Sequence, residues 1–168
     1  MKQTNIPQIR LAVMIDRPQI HEAHMRSIRE VSIKDHGPEE VRGWGNRELG
    51  ERWISGIEKG RVWVIEFNEQ ISGVGYIDIS DKNGKTSAHV YAMYLTPEVI
   101  GLGFAKRMMN LMLDLARSHG ALEITLDSSL TAHGFYQKFG FVDSGPLNFS
   151  DIGGSQVRSY PMKLILNP

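Results

Sequence analysis

The sequence predicts an α/β fold, a mixed sheet with helices on its faces in the order β-α-α-β-β-β-α-β-α-β-β. Three observations carry this. Residues 61–67, 71–79 and 87–95 are rich in β-branched and aromatic side chains and are joined by short polar turns, which reads as an antiparallel meander. The last of these runs meets Pro97 and then Gly101-Leu-Gly103-Phe-Ala105, which opens a long amphipathic helix. After that helix, residues 122–126 form a short apolar run, expected to be a strand buried on both faces and parallel to its neighbour.

The remaining elements follow in order. Residues 9–15 are apolar enough for a first strand, and Asp16-Arg-Pro18 follows as an N-cap with proline in the first helical turn. Ile20, Ala23, Ile28 and Val31 keep helical spacing until Gly37-Pro38 breaks the helix. A second helix begins at Pro38-Glu-Glu40 and runs, with glycine interruptions, to Gly60. Asn68-Glu-Gln70 and the Asp81 to Lys85 stretch are turns of the meander. Leu111, Met112, Leu115 and Ala116 give the long helix its apolar face, and Gly120 ends it. A short helix over 131–139 stops at Gly140, and Phe141-Val142 with residues 157–166 supplies the last two strands.

Composition narrows the function. The 168 residues are expected to form one domain with no internal repeat. Nineteen basic residues balance nineteen acidic ones, which gives no reason to expect nucleic acid or an acidic membrane as partner. There is no cysteine, which excludes disulfides, thiolate zinc sites and a cysteine acyl-enzyme, and fits a cytoplasmic location. The first eight residues lack a signal-peptide core, and no apolar run approaches a membrane span. Asn148-Phe-Ser150 is read as a chance sequon. His21 and His24 lack metal-ligand spacing, so no metal is expected.

The glycine turn is the chemical signal. A strand, a tight turn and a helix N-terminus leave backbone N–H groups free beside the positive end of the helix dipole, an arrangement that holds phosphate. Gly101 and Gly103 let the backbone turn and approach a ligand with no Cβ in the way. The dinucleotide fingerprint would need a third glycine where Lys106 stands. Gly84-Lys85-Thr86 imitates the end of a Walker loop, but its leading glycine would fall on Ile79. No Gly-x-Ser-x-Gly elbow occurs.

The glycine turn, together with Ala132-His-Gly-Phe-Tyr136-Gln-Lys138-Phe-Gly140-Phe141, resembles the GNAT superfamily of N-acetyltransferases across essentially the whole chain. That family has a Gln/Arg-x-x-Gly-x-Gly/Ala pyrophosphate motif and a later motif close to Asn-x-x-Ala-x-x-Phe-Tyr-x-Lys-x-Gly-Phe. The resemblance implies acetyl-CoA as co-substrate and a small-molecule or peptide amine as acceptor, in a monomer or homodimer. It assigns Met93, Tyr94, Leu95, Ile100, Gly101, Leu102, Gly103, Phe104, Ala105, Lys106, Ser129 and Lys138 to the cofactor. Two positions depart from the pattern. Ile100 occupies the Gln/Arg slot and Ser129 the asparagine slot, where its hydroxyl bonds the pantetheine arm or caps the helix.

The resemblance also implies roles in catalysis. Tyr136 stands where the family protonates the leaving thiolate; the alternative is an aromatic packed under the sheet beside Phe135. A backbone N–H freed by a bulge around Met93 to Leu95 would hold the carbonyl oxygen. Counting six residues back from Leu95, to the strand position where several members carry a carboxylate, gives His89, whose ordinary pKa near 6.5 suits a base. Period-two alternation predicts His89, Tyr91, Met93 and Leu95 on one face and Tyr94 on the other. A surface or half-buried histidine, Asp78 as base, and deprotonation through water are the alternatives. His36, Trp44 and Tyr91 are expected at the substrate pocket, whereas Trp53, Met108, Met109 and Met112 are expected to pack. A non-catalytic acyl-CoA sensor and a nucleotide binder using Gly84-Lys85-Thr86 are the competing classes.

Overall fold

Three two-residue turns set the register of the sheet in the computed structural model, which describes residues 6–167. Asn68-Glu69, Asn83-Gly84 and Gly153-Gly154 have positive φ at both positions. That geometry matches the twist of antiparallel strands. The turns join β2 (Val62–Phe67) to β3 (Gln70–Lys82), β3 to β4 (Lys85–Leu95), and β7 (Asn148–Ile152) to β8 (Ser155–Ile165). With β1 (Gln8–Leu11), β5 (Glu123–Ser128) and β6 (Val142–Asp143), the order is β1-β2-β3-β4-β5-β8-β6, and β7 lies on β8. Every pairing is antiparallel except β4 with β5.

The expected meander and the parallel neighbour are both present. β7 is an addition, because the sequon-like Asn148-Phe-Ser150 is part of a strand. It is polar, largely exposed and lies at an edge, so it carries no apolar alternation by which to be read. β5 is not buried on both faces: Ile124, Leu126 and Ser128 are buried, whereas Thr125 and Asp127 face the open side.

α1 (Arg17–Ser27) continues through a π-helical stretch, Ile28–Ser32, into α2 (Ile33–Trp44). Gly37, at φ 80 and ψ 168, kinks α2 where Gly37-Pro38 predicted a break. The second helix stops at Trp44 rather than Gly60, and α3 (Arg52–Glu58) is separate, since Gly45 and Gly50 interrupt the pattern between them. β1 ends at Leu11, and Asp16 does not cap α1. Its buried carboxylate accepts two hydrogen bonds from Arg10, at 2.8 and 3.0 Å, and one from Val13 N–H at 2.8 Å. A charge-assisted fork outweighs a single cap bond.

α4 (Phe104–Ser118) and α5 (His133–Phe139) cover one face of the sheet, where Met108, Met109 and Met112 pack among Ile65, Ile77, Val90 and Leu126. On the other face α1 and α3 meet Val62, Val64, Val74 and Tyr76 through Ile20, Ala23, Trp53 and Ile57. A third cluster of Met25, Ile28, Val41, Trp44 and Val157 joins the first helices to β8. At about 1.5–3 kcal/mol for each fully buried apolar side chain, these layers fix where the strand ends lie, and hence the site.

Candidate active site

β4 and β5 pair only from Ala88↔Ile124 to Val90↔Leu126. Beyond Val90 the two strands part, while β4 stays bonded to β3 as far as Leu95. The backbone groups on the β5-facing edge of residues 91–95 are therefore free of a strand partner and look into a narrow gap. Tyr91, Met93, Tyr94, Asp127, Ser129 and Tyr136 line that gap.

A bulge sits at the mouth of the gap. Tyr76 pairs with Ala92 and Ile77 with Val90, so Tyr91 is one extra residue in β4. It lies earlier than the expected 93–95 position, and it inverts the alternation. Ala88 and Val90 face α4, and past the bulge so do Met93 and Leu95. His89 and Tyr91 face the other side with Tyr76 and Arg52, so His89 does not share a face with Met93 and Leu95. An added residue shifts a period-two pattern by one and turns every later side chain over.

The glycine turn forms the far end of a cleft of about 400 Å³ that reaches the same strand end. Met93, Tyr94, Leu95, Ile100, Gly101, Gly103, Phe104, Ala105, Lys106 and Ser129 line it, ten of the twelve expected cofactor residues. Leu102 is exposed beside it, and Lys138 is exposed on α5 and lines neither the cleft nor the gap. Sequence reasoning missed Ser27, Val31, Ser32, Thr131, Ala132 and Phe135 as lining residues. The spacing of Ser27, Val31 and Ser32 along one helical face was the available signal, hidden by the wider π-helical turn between them.

Gly101 and Gly103 have φ of 80° and 85°, a region L side chains rarely adopt, and a Cβ at either would meet open space within 4 Å. The first bond of α4 runs from Arg107 N–H to Gly103 O at 3.2 Å, leaving the N–H groups of Phe104, Ala105 and Lys106 without helical acceptors. The helix dipole adds about 0.3–1 kcal/mol for an anion there. Each hydrogen bond to a charged oxygen adds about 1.5–3 kcal/mol, so the freed N–H groups dominate.

The turn is anchored at its start. Thr96 N–H donates to Ser72 O at 2.9 Å, across a second bulge in β3. Arg26 reaches from α1 to Glu98 at 2.6 Å, and hydrogen bonds from Thr96 and Arg26 hold the Glu98 carboxyl down to about 2. Ser129 Oγ accepts Ala132 N–H at 3.1 Å, capping the entry to α5 while its own hydroxyl hydrogen stays free to donate.

Tyr136 is buried beneath the gap, and its hydroxyl has no hydrogen-bond partner among the described residues. Burial first, then the neighbouring Tyr94, pushes its pKa far above the ordinary phenol value, so it keeps its proton. His89 bonds Thr125 Oγ1 through Nδ1 at 2.8 Å. Burial lowers its pKa and wins over Asp127 and Asp78, which raise it; Arg52 adds to the lowering. The ring is therefore neutral at pH 7.

Two residues expected at a substrate pocket are core. Trp44 is 3% exposed among Met25, Ile28, Val41 and Val157. His36 is 4% exposed, with both ring nitrogens bonded to protein: Leu130 N–H donates to Nε2 at 3.0 Å and Nδ1–H donates to Glu40 at 2.7 Å. Tyr91 does line the gap, with the Arg52 guanidinium 4.0 Å above its ring.

Free backbone N–H groups at a helix start, a cleft of about 400 Å³ and a strand gap over a buried phenol suit an enzyme that transfers acyl groups. The chain belongs to the acetyltransferase (GNAT) domain family, whose model matches residues 32–166. It is 25% identical over 126 residues to the uncharacterised N-acetyltransferase YafP of Escherichia coli (strain K12), covering 75% of each chain. Its fold matches a GCN5-related N-acetyltransferase from Rhodopseudomonas palustris with a TM-score of 0.78, at 20% identity over 99% of both chains. It also matches the PaiA N-acetyltransferase from Thermoplasma acidophilum, solved with coenzyme A, with a TM-score of 0.71, 18% identity, and coverage of 96% of this chain and 99% of that one.

Proposed function

We propose that this protein moves an acetyl group from acetyl-CoA to a primary amine by direct attack in a ternary complex. The observation that carries the reading is the gap between β4 and β5, which opens toward the lined cleft on one side and is bordered by Tyr91, against which the His89 ring packs at 4.7 Å, on the other. The relatives solved with coenzyme A or acetyl-CoA support the choice of carrier.

The pyrophosphate would lie on the N–H groups of Phe104, Ala105 and Lys106, and the pantetheine arm along Met93, Leu95 and Ser129 toward the gap. An unpaired N–H on the gap edge of β4 would donate to the carbonyl oxygen as its charge grows. The amine nitrogen attacks the thioester carbon, the C–N bond forms and the C–S bond breaks. His89 takes the proton that the nitrogen loses, directly or through water. Tyr136 donates its hydroxyl proton to the departing sulfur and is reprotonated on release. Burial disfavours a thiolate as it does a phenolate, so both pKa values rise together and the transfer stays feasible. Asp127 and Asp78 near His89 favour the approach of an acceptor that arrives as an ammonium ion.

The test is acetyl-CoA consumption with small amines, polyamines, amino acids and peptide N-termini. Transfer to one of these classes with release of free thiol supports the reading. Coenzyme A binding with no acetylation of any amine would make the protein an acyl-CoA sensor, and stabilisation by ATP-Mg but not by coenzyme A would defeat the assignment.

A further inference from the structure

We infer that His36 is a positioning residue for the coenzyme: it hangs the loop that lines the cleft from helix α2, although it touches neither the cleft nor the gap. The inference rests on the acetyl-CoA reading above. Between the end of β5 at Ser128 and the start of α5 at His133 lie residues 129–132, without regular structure, and Ser129, Thr131 and Ala132 among them line the cleft. The remaining residue, Leu130, directs its N–H onto His36 Nε2 at 3.0 Å. That bond ties a cofactor-lining segment to a side chain 94 positions earlier in the chain.

The histidine is held just as firmly from the other side. Nδ1–H donates to Glu40 Oε2 at 2.7 Å, one turn along α2. The same oxygen accepts Arg158 N–H at 3.0 Å, and Glu40 Oε1 accepts Arg158 Nε at 2.6 Å, fastening the carboxylate to β8. Burial alone would raise the Glu40 carboxyl, but the bonds from His36 and Arg158 prevail and lower it, so it remains a charged acceptor. The Trp44 ring closes the remaining side at 4.8 Å between centroids. Because Nε2 must accept from Leu130, the ring proton is confined to Nδ1, and Glu40 fixes that tautomer. Neither nitrogen is left for solvent or substrate.

The two ring nitrogens are satisfied from opposite directions, Nδ1 by Glu40 on the same helix and Nε2 by a loop residue 94 positions away. Here the donor side of the ring points to the α2–β8 clamp and the acceptor side to the cofactor loop, so ring position sets loop position. With the loop fixed, Ser129 Oγ can cap Ala132 and present its free hydroxyl hydrogen to the cleft. Releasing Leu130 would leave Ser129 and Thr131 to sample other positions, and binding would bear the cost of ordering them.

The two bonds can be separated by substitution. His36→Gln keeps an acceptor near the Nε2 position for Leu130 and gives up the Glu40 bond; His36→Asn keeps a donor near Nδ1 for Glu40 and abandons Leu130. Isothermal titration with coenzyme A, paired with thermal melting, reads both. We expect His36→Asn to weaken coenzyme A binding about tenfold, the effect of one lost hydrogen bond, and His36→Gln to stay within about threefold. Both variants should melt below the wild type. Equal affinities in wild type and His36→Asn would overturn the inference, as would losses in both variants that merely track their loss of melting temperature. Failure of the wild type itself to bind coenzyme A would instead overturn the acetyl-CoA reading.

Discussion

His89 and Met93 stand four residues apart on β4 yet face opposite sides of the sheet, because Tyr91 is bulged out between them. Without the bulge, one face would carry both His89, the proposed proton acceptor, and the residues lining the cleft. With it, the proposed amine and thioester would approach the same gap from opposite sides. The separation needs no change of residue type, only one unpaired residue where β5 leaves the ladder.

Tyr136 supplies the first prediction. Its hydroxyl is held protonated by burial and makes no bond that replacement would break. Tyr136→Phe should lower kcat about a hundredfold with the amine identified in the screen, the usual scale for loss of a general acid. Coenzyme A affinity should stay within about twofold, since the pyrophosphate contacts dominate it. An unchanged kcat would remove Tyr136 from the acid role.

The pH profile tests His89. Burial lowers its pKa, so the neutral, proton-accepting form prevails at pH 7 and is lost only as pH falls through the depressed value. The acid limb of kcat/KM should therefore lie below about 6.5. Asp127 raises this pKa, so Asp127→Asn should move the limb lower still. His89→Gln should flatten the limb and lower the rate about a hundredfold. Survival of the limb in His89→Gln would pass the role to Asp78 or to relayed water.

What the sequence made legible follows from the range of the interactions involved. The Asn-Gly hairpin and the glycine turn depend on neighbours within a few residues and appear where residue types put them, as does the α4 apolar face at Met112, Leu115 and Ala116, whereas Leu111 is exposed and Leu113 is buried in its place. The bulge was present only as an ambiguity. Val90-Tyr91-Ala92-Met93 is an unbroken nonpolar run, so either phase fits it until β5 departs. Trp44 between two glycines looked like a pocket wall, and Val157, more than a hundred residues away, makes it core. Asp16 had the local context of a cap and was claimed by Arg10 across the turn.

His24 is fully buried, packs against Tyr94 with ring centroids 4.1 Å apart and a 30° tilt, and has no hydrogen-bond partner for either ring nitrogen among the described residues. Burial, then Arg47 and His21, lowers its pKa well below the ordinary value. The unfolded chain therefore binds a proton that the native state refuses, and stability falls as pH drops below about 6.5. His24→Phe keeps the tilted aromatic contact and removes two unsatisfied atoms. It should stabilise the protein by about 1–2 kcal/mol at pH 7.5, with part of the acid-side slope abolished. For a chain of this length that is about 2–8 °C in Tm. A lower Tm at both pH 7.5 and pH 5.5, with the slope retained, would show that the imidazole is satisfied by water.

Ile100 is the departure most open to improvement. It lines the cleft, is 46% exposed, and sits at φ −70 and ψ 141, an extended conformation that any residue adopts without strain. Replacing it removes little buried apolar area, so the stability cost is small. Ile100→Arg would place a guanidinium at the edge of the phosphate cradle, next to the free N–H groups at the start of α4. An exposed charge-assisted bond is worth about 1 kcal/mol after screening, so coenzyme A should bind about fivefold more tightly. The gain should shrink between low salt and 0.5 M salt, because the new term is electrostatic. Ile100→Gln offers a neutral donor at the same place, and its smaller gain should not depend on salt. If neither variant binds coenzyme A more tightly than the wild type, the backbone N–H groups already saturate the pyrophosphate, and Ile100 marks a slot that this chain does not need.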